Sequence, residues 1–213
     1  MASFAIIAEG PTDQRVIENI VCGFMSAGDG PLVVNDVQPP PNSPGGWTLV
    51  LSALRDGEVG RALKFNDYVI VHIDTDVCDQ PGFDVPRRIG GRELSTDELT
   101  AAVAARLASL IGEVFESQRE HILFAIAVDS IECWLLPILF ESQTAKAAKS
   151  TGCMDAANDA LRAANRPLLK KGDDKLIEGY RACSADYLKK KVLLKHSKRN
   201  PSLKRFVAEL EEL

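Results

Sequence analysis

Acidic side chains collect at two places where an apolar run of the sequence ends. Glu9 and Asp13 follow the first apolar run of the chain, and Asp74 and Asp76 follow the run Tyr68–Ile73. Clustered carboxylates repel one another unless a cation neutralises them, and Mg²⁺ prefers oxygen ligands. A single Asp or Glu at a helix start is also explained by the helix dipole alone. Acids grouped after two separate runs therefore predict a divalent-metal site.

The apolar runs before these acids are typical of strands in a parallel sheet. Tyr68–Ile73 is rich in β-branched residues and almost uninterrupted, as expected for a strand that is buried on both faces. The predicted strands are Phe4–Ala8, Leu32–Val37, Tyr68–Ile73 and Ile122–Val128. Ligand sites in open parallel sheets form beyond the carboxyl ends of the strands. The acids stand at those ends, and Asp129 and Glu132 follow the fourth strand in the same way.

Segments with helical spacing of apolar residues alternate with the strands. The predicted helices are Thr12–Met25 with Thr12 as its cap, Trp47–Leu63, Ser95–Gln118, Ile131–Phe140, Thr144–Ala164, Asp173–Cys183, Ala185–Leu194 and Ser202–Leu213. Prolines and glycines predict a loop at Pro39–Gly46, and another loop extends to Gly91. The alternation predicts an α/β fold: a four-stranded parallel sheet with helices on both faces. After residue 130 we expect only helices, so we divide the chain into an α/β domain, residues 1–140, and a basic helical extension, residues 141–213, packed on the same domain.

Charge is distributed unevenly along the chain. The 213 residues carry a net charge of −5, but residues 164–213 contain 13 Lys/Arg against 7 Asp/Glu. A basic surface of this kind attracts nucleic-acid phosphates, although a solvated helix face explains it equally well. The candidate phosphate-binding residues are Lys170, Lys171, Lys195, Lys198 and Arg199.

Cysteine usage and hydropathy indicate a cytoplasmic protein without a membrane partner. The five cysteines are scattered and form no C-x-x-C pair, so we expect reduced thiols. No uncharged stretch approaches the roughly 18 residues of a membrane span.

Two of the acidic motifs resemble those of the Toprim family. Ala8–Asp13, with the sequence A-E-G-P-T-D, resembles the strand-one signature of Toprim domains, particularly the E-G-x-T-D form of OLD-type nucleases. Val71–Asp76, with the sequence V-H-I-D-T-D, resembles the D-x-D motif that these domains place after a later strand. Ser130–Trp134 is similar to an I-E-x-W signature of small stand-alone Toprim-like proteins. The resemblance covers roughly residues 3–140.

The resemblance implies a Toprim-like fold and a Mg²⁺- or Mn²⁺-dependent nuclease that acts on nucleic-acid phosphodiesters. It makes Glu9, Asp74 and Asp76 the catalytic metal ligands, with Glu9 also a candidate acid or base. Asp13 corresponds to the second acid of OLD-type sites, and Glu132 to a supplementary ligand. His72, inside a predicted strand, is expected to be a satisfied core residue.

The chain also departs from the larger Toprim proteins. It lacks the topoisomerase cleavage domain, a primase zinc module and the G-x-x-x-x-G-K-[ST] phosphate loop, so any ATPase must come from a separate protein partner. The alternative is a non-catalytic Toprim-like subunit or regulator of a larger complex, for example in phage defence, and a homo-oligomer is left open. A haloacid-type phosphatase fits less well, since its D-x-D motif follows the first strand.

Overall fold

The computed structural model describes residues 2–25, 32–172 and 174–213, and its centre is a four-stranded parallel sheet. The strands of this sheet are β1 (Ser3–Ile7), β2 (Val33–Gln38), β3 (Tyr68–Asp74) and β6 (Ile122–Ala127). They lie in the order β2-β1-β3-β6, and each neighbouring pair is parallel. Two short antiparallel hairpins complete the strands: β4 (Arg88–Ile89) with β5 (Arg92–Glu93), and β7 (Lys170–Lys171) with β8 (Asp174–Lys175). The predicted α/β fold class with a parallel four-stranded sheet is confirmed.

Helices connect the strands and make up most of the C-terminal part. They are α1 (Pro11–Met25), α2 (Trp47–Arg55), α3 (Glu58–Ala62), α4 (Thr96–Ile111), α5 (Glu113–Gln118), α6 (Glu132–Leu139), α7 (Thr144–Ala147), α8 (Cys153–Ala163), α9 (Ile177–Ser184), α10 (Lys190–Ser197) and α11 (Pro201–Glu211). Single turns of 3-10 helix lie at Arg119–His121 and Ala185–Leu188.

Both faces of the sheet are covered by helices, as the apolar strands predict. Along β1, Phe4 and Ile6 belong to a core shared with α1, α6 and the C-terminal helices. Ala5 and Ile7 point to the other face and join a core with α2 and α4. This alternation is the two-residue period of a strand, here apolar on both sides because each side packs against helices.

The C-terminal helices pack on the same core as the sheet. Leu203 and Phe206 of α11 are buried in the cluster that contains α1 and α6. The carboxylate of Glu209 accepts a hydrogen bond of 2.8 Å from the backbone N–H of Phe124 in β6. The indole N–H of Trp134, on α6, donates to the Ser202 hydroxyl over 2.8 Å. These contacts hold α6 and α11 against the last strand of the sheet.

Three predicted helices are each divided into two α-helices, and a fourth, Ala185–Leu194, is divided into a 3-10 turn and α10, so their predicted extents were wrong. Trp47–Leu63 breaks at Gly57 (φ 77°) and Ser95–Gln118 breaks at Gly112 (φ 68°). Both glycines adopt positive φ, a backbone conformation that is unfavourable for residues with a Cβ, and the helix ends there. Thr144–Ala164 becomes α7 and α8. The first helix begins at Pro11, which suits the first helical position, so the prediction of Thr12 as the cap was also wrong.

The expectation of helices alone after residue 130 was wrong as well. The hairpin β7–β8 lies between α8 and α9, and the helix expected from Asp173 begins at Ile177. Asp173 itself lies outside the described residues. The hairpin β4–β5 likewise interrupts the loop expected to extend to Gly91. Strands of two residues are too short to show a periodic pattern in the sequence.

The expectation of reduced cysteines fails at one pair. Cys133 on α6 and Cys153 at the start of α8 form a disulfide, while Cys22, Cys78 and Cys183 are free thiols. The two partners are 20 residues apart and belong to different helices, so no local spacing motif marks them. No helix in the described ranges is long and apolar enough to cross a membrane.

Candidate metal centre

Glu9 lies two residues after the end of β1, at the carboxyl edge of the sheet, and contacts β3 and the proline-rich loop there. Its Oε1 accepts a 2.8 Å hydrogen bond from the backbone N–H of Asp74, at the end of the neighbouring strand. Its backbone oxygen accepts a 2.7 Å bond from the N–H of Gly46. A Cβ on Gly45 would stand 1.9 Å from that oxygen, so only glycine permits this approach. The predicted proline-rich loop is thus fastened to the candidate site.

Asp13 is directed to the same edge by the first turn of α1. The Gly10 carbonyl accepts hydrogen bonds from the N–H groups of Asp13 (3.2 Å) and Gln14 (3.1 Å), which sets the start of the helix. The Asp13 side chain is only 2% exposed, and the Thr12 hydroxyl lies 3.3 Å from its Oδ1. The E-G-P-T-D segment therefore folds so that both of its acids reach one place.

Asp74 and His72 face each other through atoms that lack a hydrogen-bond partner. His72 Nδ1 lies 2.7 Å from the Ala125 carbonyl oxygen, so this nitrogen must carry the proton and donate. Nε2 of a neutral ring is then an acceptor, and it lies 3.4 Å from Asp74 Oδ1. Both atoms are buried, and neither has a hydrogen bond. Two acceptor atoms that face each other require a proton or a cation between them. His72 is therefore not the fully satisfied core residue expected from the sequence.

Burial makes ionisation of these carboxyl groups costly. Removal from water, together with the charge of Asp74, raises the pKa of Glu9 to about 8. Burial and the charges of Asp13 and Glu132 raise the pKa of Asp74 well above its ordinary value, and burial also raises the pKa of Asp13. Several carboxylates held in one low-dielectric site oppose each other's ionisation. A bound divalent cation would reverse this effect.

Glu132, at the start of α6, differs because it has a cationic partner. Burial opposes its ionisation, but the ammonium of Lys175 and hydrogen bonds from Ser130 and Tyr180 outweigh burial and lower its pKa. Lys175 Nζ lies 2.9 Å from Glu132 Oε1, and the Tyr180 hydroxyl donates to the same oxygen. Glu132 is therefore an ionised, hydrogen-bonded carboxylate. The sequence did not single out Lys175 or Tyr180.

A cavity of about 360 Å³ opens at this edge. We call it the acidic crevice, and its lining consists of Glu9, Gly10, Pro11, Thr12, Asp13, Gly45, Gly46, Asp74, Lys175 and Ile177. Asp76 is exposed beside it, where its N–H donates to the Asp129 carbonyl over 3.1 Å and its own carbonyl accepts from Arg87 over 3.3 Å. Asp76 and Glu132 both act on the pKa of Asp74, so the structure brings all five predicted acids to one edge of the sheet.

The predicted phosphate-binding residues lie in two places. Lys170 and Lys171 form β7, directly beside the strand that carries Lys175. Lys195, on α10, pairs with Glu141, and the Arg199 guanidinium donates to the Glu141 carbonyl over 2.8 Å. Lys198 is exposed. The β7–β8 hairpin thus brings Lys175 to the crevice, while Lys195 and Arg199 take part in contacts with residues 140–144.

The donor set of the crevice suits a hard divalent cation. Carboxylate oxygens predominate, and the buried Asp74 Oδ1 has no hydrogen donor. Glu9, Asp13 and Asp74 could hold such an ion, with Asp76 beside them. The compact ligand group found in the described part of the chain is a different one: Asp129, Cys133 and Cys153, with ligand atoms within 4.8 Å of one another. Its two sulfur atoms are bonded to each other, so they are not available as thiolates.

Known proteins provide no relative for comparison. No protein-family model, no curated protein and no solved structure matches this chain. The function must therefore be argued from the crevice itself.

Proposed function

We propose that this chain is a Mg²⁺- or Mn²⁺-dependent phosphoryl-transfer enzyme, a nuclease that cleaves nucleic-acid phosphodiesters in the acidic crevice. One observation carries the proposal: Asp74 Oδ1 is buried, without a hydrogen bond, and faces an acceptor nitrogen of His72. An unsatisfied buried oxygen is destabilising, so each one in a native structure needs an explanation, and a bound ion is one such explanation. The Toprim-like motifs place the same residue in a metal-binding role.

The cation would be held by Glu9, Asp13 and Asp74, with Asp76 at the open side. Their oxygens match the preference of Mg²⁺ and Mn²⁺ for hard ligands, and the raised pKa values of the first three indicate that the nearby positive charge does not offset burial and mutual repulsion. The ion would supply Lewis-acid stabilisation of the phosphate oxygens and would favour ionisation of an attacking water.

Glu9 is placed to exchange a proton during the reaction. Without a cation its pKa is about 8, and a bound cation would lower it, so Glu9 in the loaded site would be an ionised carboxylate able to accept a proton. The hydrogen bond from the Asp74 N–H fixes the orientation of its carboxyl group. This supports the role that the strand-one motif implies.

Lys175 supplies the positive charge that the sequence left unassigned. Its side chain is 43% exposed and lines the cavity, so a phosphate group can reach the ammonium while Glu132 holds it. The charges of Glu132 and Asp13 raise the pKa of Lys175, which keeps it protonated. A fixed ammonium stabilises the negative charge that develops during phosphoryl transfer. Lys171, exposed on the same hairpin, can contact a flanking phosphate.

The test is cleavage of end-labelled single-stranded and duplex DNA and RNA with Mg²⁺, Mn²⁺ or EDTA. Asp74→Asn keeps the shape of the side chain but removes its charge, so we expect cleavage to fall by at least about 100-fold while the thermal unfolding transition persists. Asp97→Asn, at an exposed acid in the first turn of α4, is the matched control and should retain full activity.

Cleavage that survives Asp74→Asn unchanged, or that persists in EDTA, would overturn the proposal. If the wild-type chain binds Mn²⁺ but cleaves none of the substrates, the alternative is favoured: a non-catalytic subunit or regulator. The next step would then be to repeat the cleavage assay with a separate ATPase or other protein partner. The oligomeric state of the chain would be measured as well.

A further inference from the structure

The Cys133–Cys153 disulfide is one link in a closed circuit of contacts, by which we mean a series of contacts that starts at Glu132, runs through α8 and the β7–β8 hairpin, and returns to Glu132. Cys133 follows Glu132 directly on α6, and the disulfide joins it to the first residue of α8. Both cysteines are almost fully buried, at 0% and 1% exposure. The bond therefore couples the start of α8 to the backbone that carries Glu132.

Asn158, on α8, connects this helix to the β7–β8 hairpin through hydrogen bonds. Its Oδ1 accepts hydrogen bonds from the N–H groups of Leu169 (2.9 Å) and Lys170 (3.4 Å), and its Nδ2 donates to the Lys170 carbonyl over 3.3 Å. The side chain is only 9% exposed. One amide thus holds the backbone on both sides of the entry to β7, five residues along the helix from Cys153.

The hairpin completes the circuit by placing Lys175 against Glu132. Lys170 and Lys175 are paired residues of the two antiparallel strands. The Leu176 N–H also donates to the Leu169 carbonyl over 2.7 Å, which ties the far end of β8 to the same point. Because β7 is held by Asn158, the position of Lys175 depends on where α8 sits. The circuit closes at the 2.9 Å contact between Lys175 and Glu132.

We propose that the Cys133–Cys153 disulfide and Asn158 are positioning residues that hold Lys175 in the acidic crevice, and that reduction of the disulfide by a dithiol releases Lys175. The dithiol transfers two electrons and two protons. One of its thiolates attacks a cysteine sulfur to form a mixed disulfide, and the other cysteine leaves as a thiol; the second thiol of the reductant then attacks the mixed disulfide, closes the reductant's own disulfide and releases the first cysteine as a thiol. Ala157 and Leu161 are buried in the core, so the fold persists after reduction. Without the disulfide α8 can shift relative to α6, and the hairpin that Asn158 holds shifts with it.

This inference concerns the position of Lys175, and only its effect on cleavage rests on the proposed function. The measurement is the rate at which an N-hydroxysuccinimide ester acetylates Lys175, read by peptide mass spectrometry. Reduction with dithiothreitol should raise the rate about fivefold, the factor by which loss of roughly one hydrogen bond shifts an opening equilibrium. Lys64, exposed and remote in sequence from the hairpin, is the internal reference and should not change.

Variants separate positioning from a general loss of structure. Cys153→Ser should show the faster Lys175 acetylation without reductant and should no longer respond to dithiothreitol. Cys183→Ser removes a buried free thiol instead and should behave as wild type. Asn158→Ala should give fast acetylation even with the disulfide intact. A second experiment compares nucleic-acid cleavage by the oxidised and by the reduced wild-type chain.

Two results would overturn the proposal: equal Lys175 rates in the oxidised, reduced and Cys153→Ser proteins, or five titratable thiols in the denatured chain after treatment with oxidised dithiothreitol. Three titratable thiols are expected, because the oxidised chain has the free cysteines Cys22, Cys78 and Cys183. If Lys175 responds but no form cleaves nucleic acid, the positioning role stands and the proposed function fails.

Discussion

Two glutamates of this chain, Glu98 and Glu9, occupy opposite electrostatic environments. The Glu98 carboxylate accepts two hydrogen bonds from Arg92, at 2.7 and 2.8 Å, and one of 2.8 Å from the Ser95 N–H. Hydrogen bonds from Arg92 and Ser95 lower its pKa. At Glu9, burial and a neighbouring carboxylate raise the pKa to about 8.

The difference separates a structural acid from a candidate functional one. Glu98 closes a capping box with Ser95 and pairs with Arg92 of β5, so residues close to it in sequence satisfy its charge and no ligand is required. In the crevice, burial and neighbouring carboxylates keep the pKa values of Glu9, Asp13 and Asp74 raised although Lys175 lies nearby. Without a metal ion, buried carboxylates in such an arrangement do not stabilise the fold. A bound cation would stabilise the crevice, whereas the capping box needs none.

The largest expected effect is on the pH dependence of stability in EDTA. The folded-state pKa of Glu9 is raised, so its favourable contribution is fully present below pH 4.5 and is lost as the pH rises through about 8. We expect the free energy of unfolding to fall by on the order of 3 kcal/mol between pH 5 and pH 8. Urea titrations at several pH values measure it. Glu9→Gln should reduce the slope, and the raised pKa values of Asp74 and Asp13 should account for the slope that remains. A wild-type stability that rises over this range would contradict the account.

The next effect concerns the ion pair that bridges the crevice to the hairpin. Lys175→Met leaves the buried Glu132 carboxylate without its cation, and should lower the free energy of unfolding by about 1–2 kcal/mol at pH 7. This value is reduced from that of a fully buried pair because Lys175 is 43% exposed. A double-mutant cycle with Glu132→Gln, followed by urea unfolding, isolates the pair. Additive losses in the double variant would show that the two side chains do not interact.

The smallest effect is expected at the capping box. Ser95→Ala removes the hydroxyl that accepts the 3.3 Å bond from the Glu98 N–H and should destabilise the chain by about 1 kcal/mol. Metal binding and cleavage should not change, because α4 begins away from the crevice lining. Chemical denaturation and the cleavage assay check both parts. A loss of cleavage in Ser95→Ala would show that the capping box affects the acidic crevice, which would contradict the comparison.

The sequence was sufficient for the sheet because its strands carry a strong local signal. Tyr68–Ile73 is apolar and β-branched throughout, so the strand and the acids at its end could be placed from the pattern alone. Ser95 and the acids that follow it likewise marked the start of α4. Local patterns of this kind depend on neighbouring residues and therefore survive without tertiary information.

The parts that were missed depend on contacts between distant segments. Lys175 reaches Glu132 only through a two-residue hairpin, and Cys133 meets Cys153 only because α6 packs on α8. The unpartnered Nε2 of His72 follows from the register of β3 against β6, which places Ala125 beside the ring. No spacing rule encodes these juxtapositions.

The most direct test of the account is Mn²⁺ binding at equilibrium, followed by electron paramagnetic resonance of the free ion. We expect the wild-type chain and Asp97→Asn to bind Mn²⁺ with the same dissociation constant, and Asp74→Asn to bind at least about tenfold more weakly. Equal binding by all three proteins, or no binding by the wild-type chain, would contradict the assignment of the acidic crevice as a metal centre.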